Sequence, residues 1–110
     1  MLLERCWLEG GPLMGKDVVE TIKYFGGQKK LFKIHFRNVT APLPHFTETL
    51  MDDGYYDMYK VMKALRDVNF DGIAILDHSP TLVGGSCAQT AYGFAYMRAL
   101  LNRANGEAKA

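Results

Sequence analysis

No apolar run in this sequence approaches the length of a membrane span, neither sign of charge is in excess, and there are only two cysteines and four prolines among 110 residues. Each shortage excludes something. Without about twenty consecutive apolar residues there is no transmembrane helix, and Met1-Leu2-Leu3 runs at once into Glu4 and Arg5 rather than into the apolar core of a signal peptide. The expected location is therefore cytoplasmic, with no membrane partner. The 13 basic and 12 acidic residues are interspersed and leave a net charge of +1, so no basic stripe marks a nucleic-acid footprint. Cys6 and Cys87, in a chain read as unexported, are free thiols or metal ligands rather than a disulfide framework.

What is present suits one soluble domain. Apolar residues make up 48% and charged residues 23%, far from the disordered regime, and the length allows one modest core but not two. Residues 1–110 are accordingly expected to form a single α/β domain, frayed from about residue 105 to the end.

Along the chain, short apolar runs alternate with helical segments, the pattern of parallel strands joined by helical crossovers. Leu2 to Trp7 fits a short strand, and Glu9-Gly10-Gly11-Pro12 breaks it. Val18, Ile22 and Phe25 recur at helical spacing over Asp17–Phe25, with Gly26-Gly27 as a stop. Leu31 to Phe36 is rich in aromatic and branched residues and fits a strand. The stretch from Arg37 to Asp53 holds two prolines and no sustained period, a long loop of the kind that carries function.

Met58, Val61, Met62, Leu65 and Val68 form the apolar stripe of a helix, with Asp57 placed to cap it. Phe70-Asp71-Gly72 turns into Ile73-Ala74-Ile75-Leu76, a continuous apolar run of the type buried on both faces of a parallel sheet. After a loop containing Gly84-Gly85, a last helix is expected from about Ala88 to Ala104, with Tyr92, Ala95, Tyr96, Leu100 and Leu101 inward and Asn105-Gly106 as its end.

Polar residues stand at the ends of all three expected strands: Cys6; His35 and Arg37; Asp77 and His78. In parallel βα architectures the carboxyl ends of the strands face the functional crevice, so these side chains are expected to converge there. Thiolate, imidazole and carboxylate together suit a divalent transition metal. The plainer alternatives are that Cys6 is a small buried hydrophobe, His35 a core histidine, Asp77 a helix cap and Arg37 its ion-pair partner. No two of the candidate ligands lie within a compact metal motif.

The stretches Cys6-Trp7-Leu8-Glu9-Gly10-Gly11, Lys33-Ile34-His35-Phe36-Arg37-Asn38-Val39 and Leu76-Asp77-His78 resemble successive parts of the D-mannonate dehydratase family, over essentially all of this chain but only the C-terminal third of the family's length. That resemblance implies part of a (β/α)8 TIM barrel, three βα units of parallel sheet that are incomplete as a single chain. It also implies a metal-dependent lyase that dehydrates D-mannonate to 2-keto-3-deoxy-D-gluconate with a divalent ion, usually manganese.

By matched motif, His35, Asp77 and Cys6 resemble metal ligands, His78 a proton-transfer histidine, and Arg37 an arginine that meets the substrate. The residues just before Cys6 depart from the family pattern. The glycine-rich loop from Ser79 to Thr90 leaves the family's tyrosine unassigned, with Tyr92 as a candidate that helical spacing would put in the core. His45 reads as a loop residue.

Roughly five of the eight strands of such a barrel, and the remaining histidine ligand, have no counterpart here. The chain is thus expected to be a fragment or remnant of a lyase, inactive alone. Exposed sheet edges favour a homo-oligomer. The rival expectation is a non-catalytic α/β module, derived from a barrel fragment, that serves oligomerisation or protein binding.

Overall fold

The structure, a computed structural model, describes residues 18–41 and 45–109. The strand expected over Leu2–Trp7, with Cys6 in it, lies outside the described residues. Seven elements follow in order: α1 (Val18–Gly27), β1 (Lys33–Phe36), β2 (Asn38–Val39), β3 (Glu48–Thr49), α2 (Met58–Asp67), β4 (Ile73–Leu76) and α3 (Gly85–Ala108). No helix among them is long and apolar enough to cross a membrane.

β1 and β4 pair in parallel, with Ile34 opposite Ala74, His35 opposite Ile75 and Phe36 opposite Leu76. Parallel pairing demands a crossover, and α2 lies between the two strands in sequence. Because side chains alternate across a strand, Ile34, Phe36, Ala74 and Leu76 point together into the core, where they meet Ile22 of α1, Met58, Val61 and Leu65 of α2, and Met97 and Leu100 of α3. Burial of each large member is worth about 1.5–3 kcal/mol relative to exposure.

The opposite face carries Lys33, His35, Ile73 and Ile75, and Ile73 is 65% exposed. The expectation that the 73–76 run is buried on both faces is therefore not met among the described residues. Among the described residues the three helices pack on the same side, and β1 is the one strand paired with β4.

Both shorter helices end in the same way, by a left-handed residue that lets the chain turn back. Asn69 takes this conformation after α2; its amide donates to the Arg66 carbonyl and that of Phe70 to the Leu65 carbonyl, the reciprocal pair of a Schellman ending. After α1 the left-handed residue is Lys29, not a glycine. The Gly26-Gly27 stop is thus corrected: both glycines are helical, and Gly26 is needed because a Cβ there would sit 2.5 Å from Val68 Cγ2. Asp57 caps α2 as expected, accepting from the Tyr59 and Lys60 amides at 3.0 and 3.2 Å.

The last helix differs most from expectation. It starts at Gly85 and runs through Asn105-Gly106, the expected end, to Ala108. Its final turns are tied to α2: Arg66 Nη1 donates to the Ala104 carbonyl at 2.9 Å, the Tyr59 hydroxyl donates to Glu107, and the Arg103 guanidinium lies 3.7 Å from the Tyr59 ring centroid. The buried seam is Gly93, Met97, Leu100 and Ala104, while Ala95 and Leu101 face solvent. That seam steps by four, three and four residues and shares Leu100 with the expected inner face, of which Tyr96 is also partly buried against the core.

Between β1 and α2 the expected irregular loop contains a short antiparallel pair, with Asn38 opposite Thr49 and Val39 opposite Glu48. Asn38, only 1% exposed, organises it. Its amide nitrogen donates to the carbonyls of Met51 and Tyr56 at 2.9 and 3.0 Å, and its oxygen accepts from the Tyr56 and Val39 amides. Gly54 lies against it so closely that a Cβ would fall 2.3 Å from Asn38 Cγ.

Asn38→Ala should cost about 2–3 kcal/mol, since it strands several buried backbone groups. Gly54→Ala should destabilise the natural chain but much less in the Asn38→Ala background. Urea unfolding of the four-member cycle reads the coupling; additive effects would show that the two sites do not act through contact.

Candidate functional site

The parallel register dictates what meets at the carboxyl ends of β1 and β4. Asp77 follows β4 directly, and its amide donates to the Phe36 carbonyl at 3.2 Å, which extends the ladder by one step. This sets Asp77 beside Arg37 and on the same sheet face as His35.

His35 Nδ1 lies 3.7 Å from Asp77 Oδ1, and Arg37 Nε lies 3.7 Å from Asp77 Oδ2. His78 Nε2 is 3.5 Å from Asp77 Oδ1, with its side chain 67% exposed. These separations give electrostatic proximity, longer than ordinary hydrogen bonds. Asp77 is largely buried, and its Oδ2 accepts no hydrogen bond from the described residues.

Four of the five residues singled out by sequence thus come together: His35, Arg37, Asp77 and His78. Cys6 lies outside the described residues. His45 is exposed on the loop and belongs to none of these contacts.

Arg37 is 7% exposed and its Nη1 contacts Glu48 Oε1 at 2.5 Å, while the Phe46 ring lies 5.5 Å from the guanidinium. The guanidinium is therefore held from the β3 side and presents little surface to solvent. Glu48, Phe46 and Asn38 were not singled out as site residues. Only the antiparallel pairing of β2 with β3 brings Glu48 back to Arg37, and no local pattern in the sequence announces so short a ladder.

Tyr92 is not a core residue. It is half-buried on α3 and lines a narrow crevice with Asp77, His78 and Ser79. Its hydroxyl hydrogen-bonds to Asp52, and that bond, with some desolvation and the negative charge of Asp52, pushes the phenol up to about 12. Its ring stacks on Tyr96 with centroids 6.5 Å apart.

His35 and Asp77 are donors of the right chemistry for a divalent metal such as manganese, and the buried, non-hydrogen-bonded Asp77 Oδ2 is suited to face a cation. They amount to part of a donor set. Among the described residues no group of three or more His, Cys, Asp or Glu side chains is placed to hold a metal.

The family model for D-mannonate dehydratase (UxuA) matches residues 6–107. The chain belongs to the D-mannonate dehydratase family. Among curated relatives, mannonate dehydratase from Thermotoga maritima is 34% identical over 87 residues, which are 76% of this chain and 24% of that protein. Mannonate dehydratase 2 from Halalkalibacterium halodurans is 34% identical over 93 residues, 82% of this chain and 26% of the relative. The crystal structure of mannonate dehydratase from Streptococcus suis serotype 2 superposes with a TM-score of 0.72 at 28% identity, covering 84% of this chain and 29% of that one. The chain spans about a quarter of the length of the curated mannonate dehydratases it matches, and within that stretch its α/β order, with a parallel strand pair and three helices, agrees with the family.

Because the folded Tyr92 phenol titrates above the ordinary value of 10.0, the Tyr92–Asp52 contact stabilises the fold fully below pH 10 and is lost as pH rises from 10 through about 12. The difference in phenolate absorbance between the natural chain and Tyr92→Phe should rise near pH 12, and Asp52→Asn should move that step down toward 10. A step that stays put in Asp52→Asn would refute the assignment of its cause.

Proposed function

We propose that this chain is one portion of a metal-dependent mannonate dehydratase-type lyase, corresponding to βα units near the end of a (β/α)8 barrel. The observation that carries the reading is the convergence of His35, Arg37, Asp77 and His78 at the carboxyl ends of one parallel strand pair, in a chain of this family. In a closed barrel that rim is where chemistry occurs, and the sheet face bearing His35 and Ile75 is the interior.

In this reading His35, Asp77 and Cys6 hold a divalent metal, with manganese the favoured ion. Held there, a divalent metal would supply Lewis-acid stabilisation of the negative charge that develops beside the sugar-acid carboxylate. The chain's own residues do the rest. His78, exposed at the rim, moves a proton, either from the acidic carbon or to the departing hydroxyl, as an imidazole does well near neutral pH. Asp77 Oδ1 lies 3.5 Å from its Nε2. Arg37, little exposed and held against Glu48, would act as a positive charge behind the rim that attracts the carboxylate of a D-mannonate-like substrate.

The product is 2-keto-3-deoxy-D-gluconate, with water lost. The described residues bring together no group of three or more donors for a metal, and we propose that the chain is inactive by itself and works in the cytoplasm within a larger assembly.

A second reading, in which the barrel-derived surface serves self-association, is favoured by the exposed Ile73 and by the face of β1 and β4 that no described helix covers. Unpaired strand edges and apolar surface invite a second copy.

Manganese should raise the unfolding temperature by several degrees at concentrations well above Kd, and His35→Ala or Asp77→Asn should abolish the rise. A chain indifferent to manganese would contradict the metal-site reading. Size-exclusion chromatography with light scattering should give a mass above that of one chain at micromolar concentration; a monomer would contradict self-association.

A further inference from the structure

We propose that Glu48 is a positioning residue which keeps the Asp77 carboxylate available to a divalent cation, by engaging the Arg37 guanidinium that would otherwise pair with it. This rests on the reading of His35 and Asp77 as metal-binding, and it adds a residue from a different part of the fold.

Three charged groups meet in a largely buried space. The guanidinium of Arg37 touches Glu48 Oε1 at 2.5 Å through Nη1, whereas its Nε stays 3.7 Å from Asp77 Oδ2. One carboxylate is contacted and the other is approached without a hydrogen bond. Nothing in the local backbone forces that choice, since Arg37 and Asp77 stand side by side where the parallel ladder ends.

The asymmetry comes from the other sheet. Val39 pairs with Glu48 in the antiparallel ladder, Asn38 pins the loop behind it, and Phe46 lies 5.5 Å from the guanidinium. Glu48 is thereby presented to Arg37 from β3.

The consequence is chemical. A guanidinium donating two hydrogen bonds to a carboxylate takes up the lone pairs that a cation would use. With Arg37 turned to Glu48, Asp77 Oδ2 is buried and accepts no hydrogen bond among the described residues, and the three groups together carry one net negative charge. If Glu48 loses its charge, Arg37 is free to close on Asp77 and the cluster becomes neutral. Both changes oppose cation binding.

The test is calorimetric titration of Mn2+ into the full chain, with unfolding of each metal-free variant followed by circular dichroism. Glu48→Gln, nearly isosteric, should raise Kd roughly tenfold, and Glu48→Asp, which keeps the carboxylate, should stay close to the natural chain. Arg37→Ala should bind at least as tightly as the natural chain, because the competitor is gone. The double variant Arg37→Ala/Glu48→Gln should recover most of what Glu48→Gln loses, a coupling that general loosening of the loop would not produce.

Binding by Glu48→Gln equal to that of the natural chain, weaker binding by Arg37→Ala, or a double variant no better than Glu48→Gln would each overturn the proposal while leaving the metal-site reading in place. Absence of Mn2+ binding by the natural chain would overturn both.

Discussion

The parallel pairing of β1 with β4 is the constraint from which the remaining features follow. Its register puts Ile34, Phe36, Ala74 and Leu76 on one face, where three helices bury them, and so provides most of the reason for the chain to fold. The same alternation turns His35 and Asp77 to the other face and stops both strands at the same level. A shift of one residue would exchange the two faces, burying an imidazole and a carboxylate among apolar helices and exposing Phe36. Core stability and the composition of the polar rim are thus one choice of register.

A second layer of order comes from polar groups that replace packing. Asn38 serves four backbone groups in a loop with little regular pairing, and the Arg37–Glu48 contact ties that loop to the strand ends. Buried polar networks of this kind impose one geometry, because leaving any member unsatisfied is costly. Outside that buried network, the exposed Asp52 reaches Tyr92 of α3 and raises its phenol. The rim is consequently held from three sides, by β1, by the loop and by the last helix.

Much of this was legible in the sequence wherever a period or a cap was strong. The stripe from Met58 to Leu65 behind Asp57 gave α2 and its start, and the apolar run from Ile73 to Leu76 gave β4 and its parallel partner. Legibility failed where tertiary context decides. The Gly26-Gly27 stop misled because Gly26 answers to Val68, far along the chain, rather than to helix ending. On α3 the expected inner face holds at Leu100 and in part at Tyr96, but not at Tyr92, Ala95 or Leu101; the small Gly93 and Ala104, which no apolar pattern marks, complete the buried seam. That His35, Arg37, Asp77 and His78 stand close together was legible from their position at strand ends, while roles for them come from family resemblance alone; Glu48 was invisible, because its partner is reached only through a two-residue ladder.

The central claim is the direction and register of β1 against β4. Backbone nuclear Overhauser effects in the labelled protein measure both directly. The account predicts cross-strand contacts linking Ile34 with Ala74 and Phe36 with Leu76, together with slow exchange of the Asp77 amide that donates to the Phe36 carbonyl. Contacts linking Lys33 with Leu76 and Phe36 with Ile73 would mean an antiparallel pair; His35 and Asp77 would then stand at different levels, and the site described above would not exist.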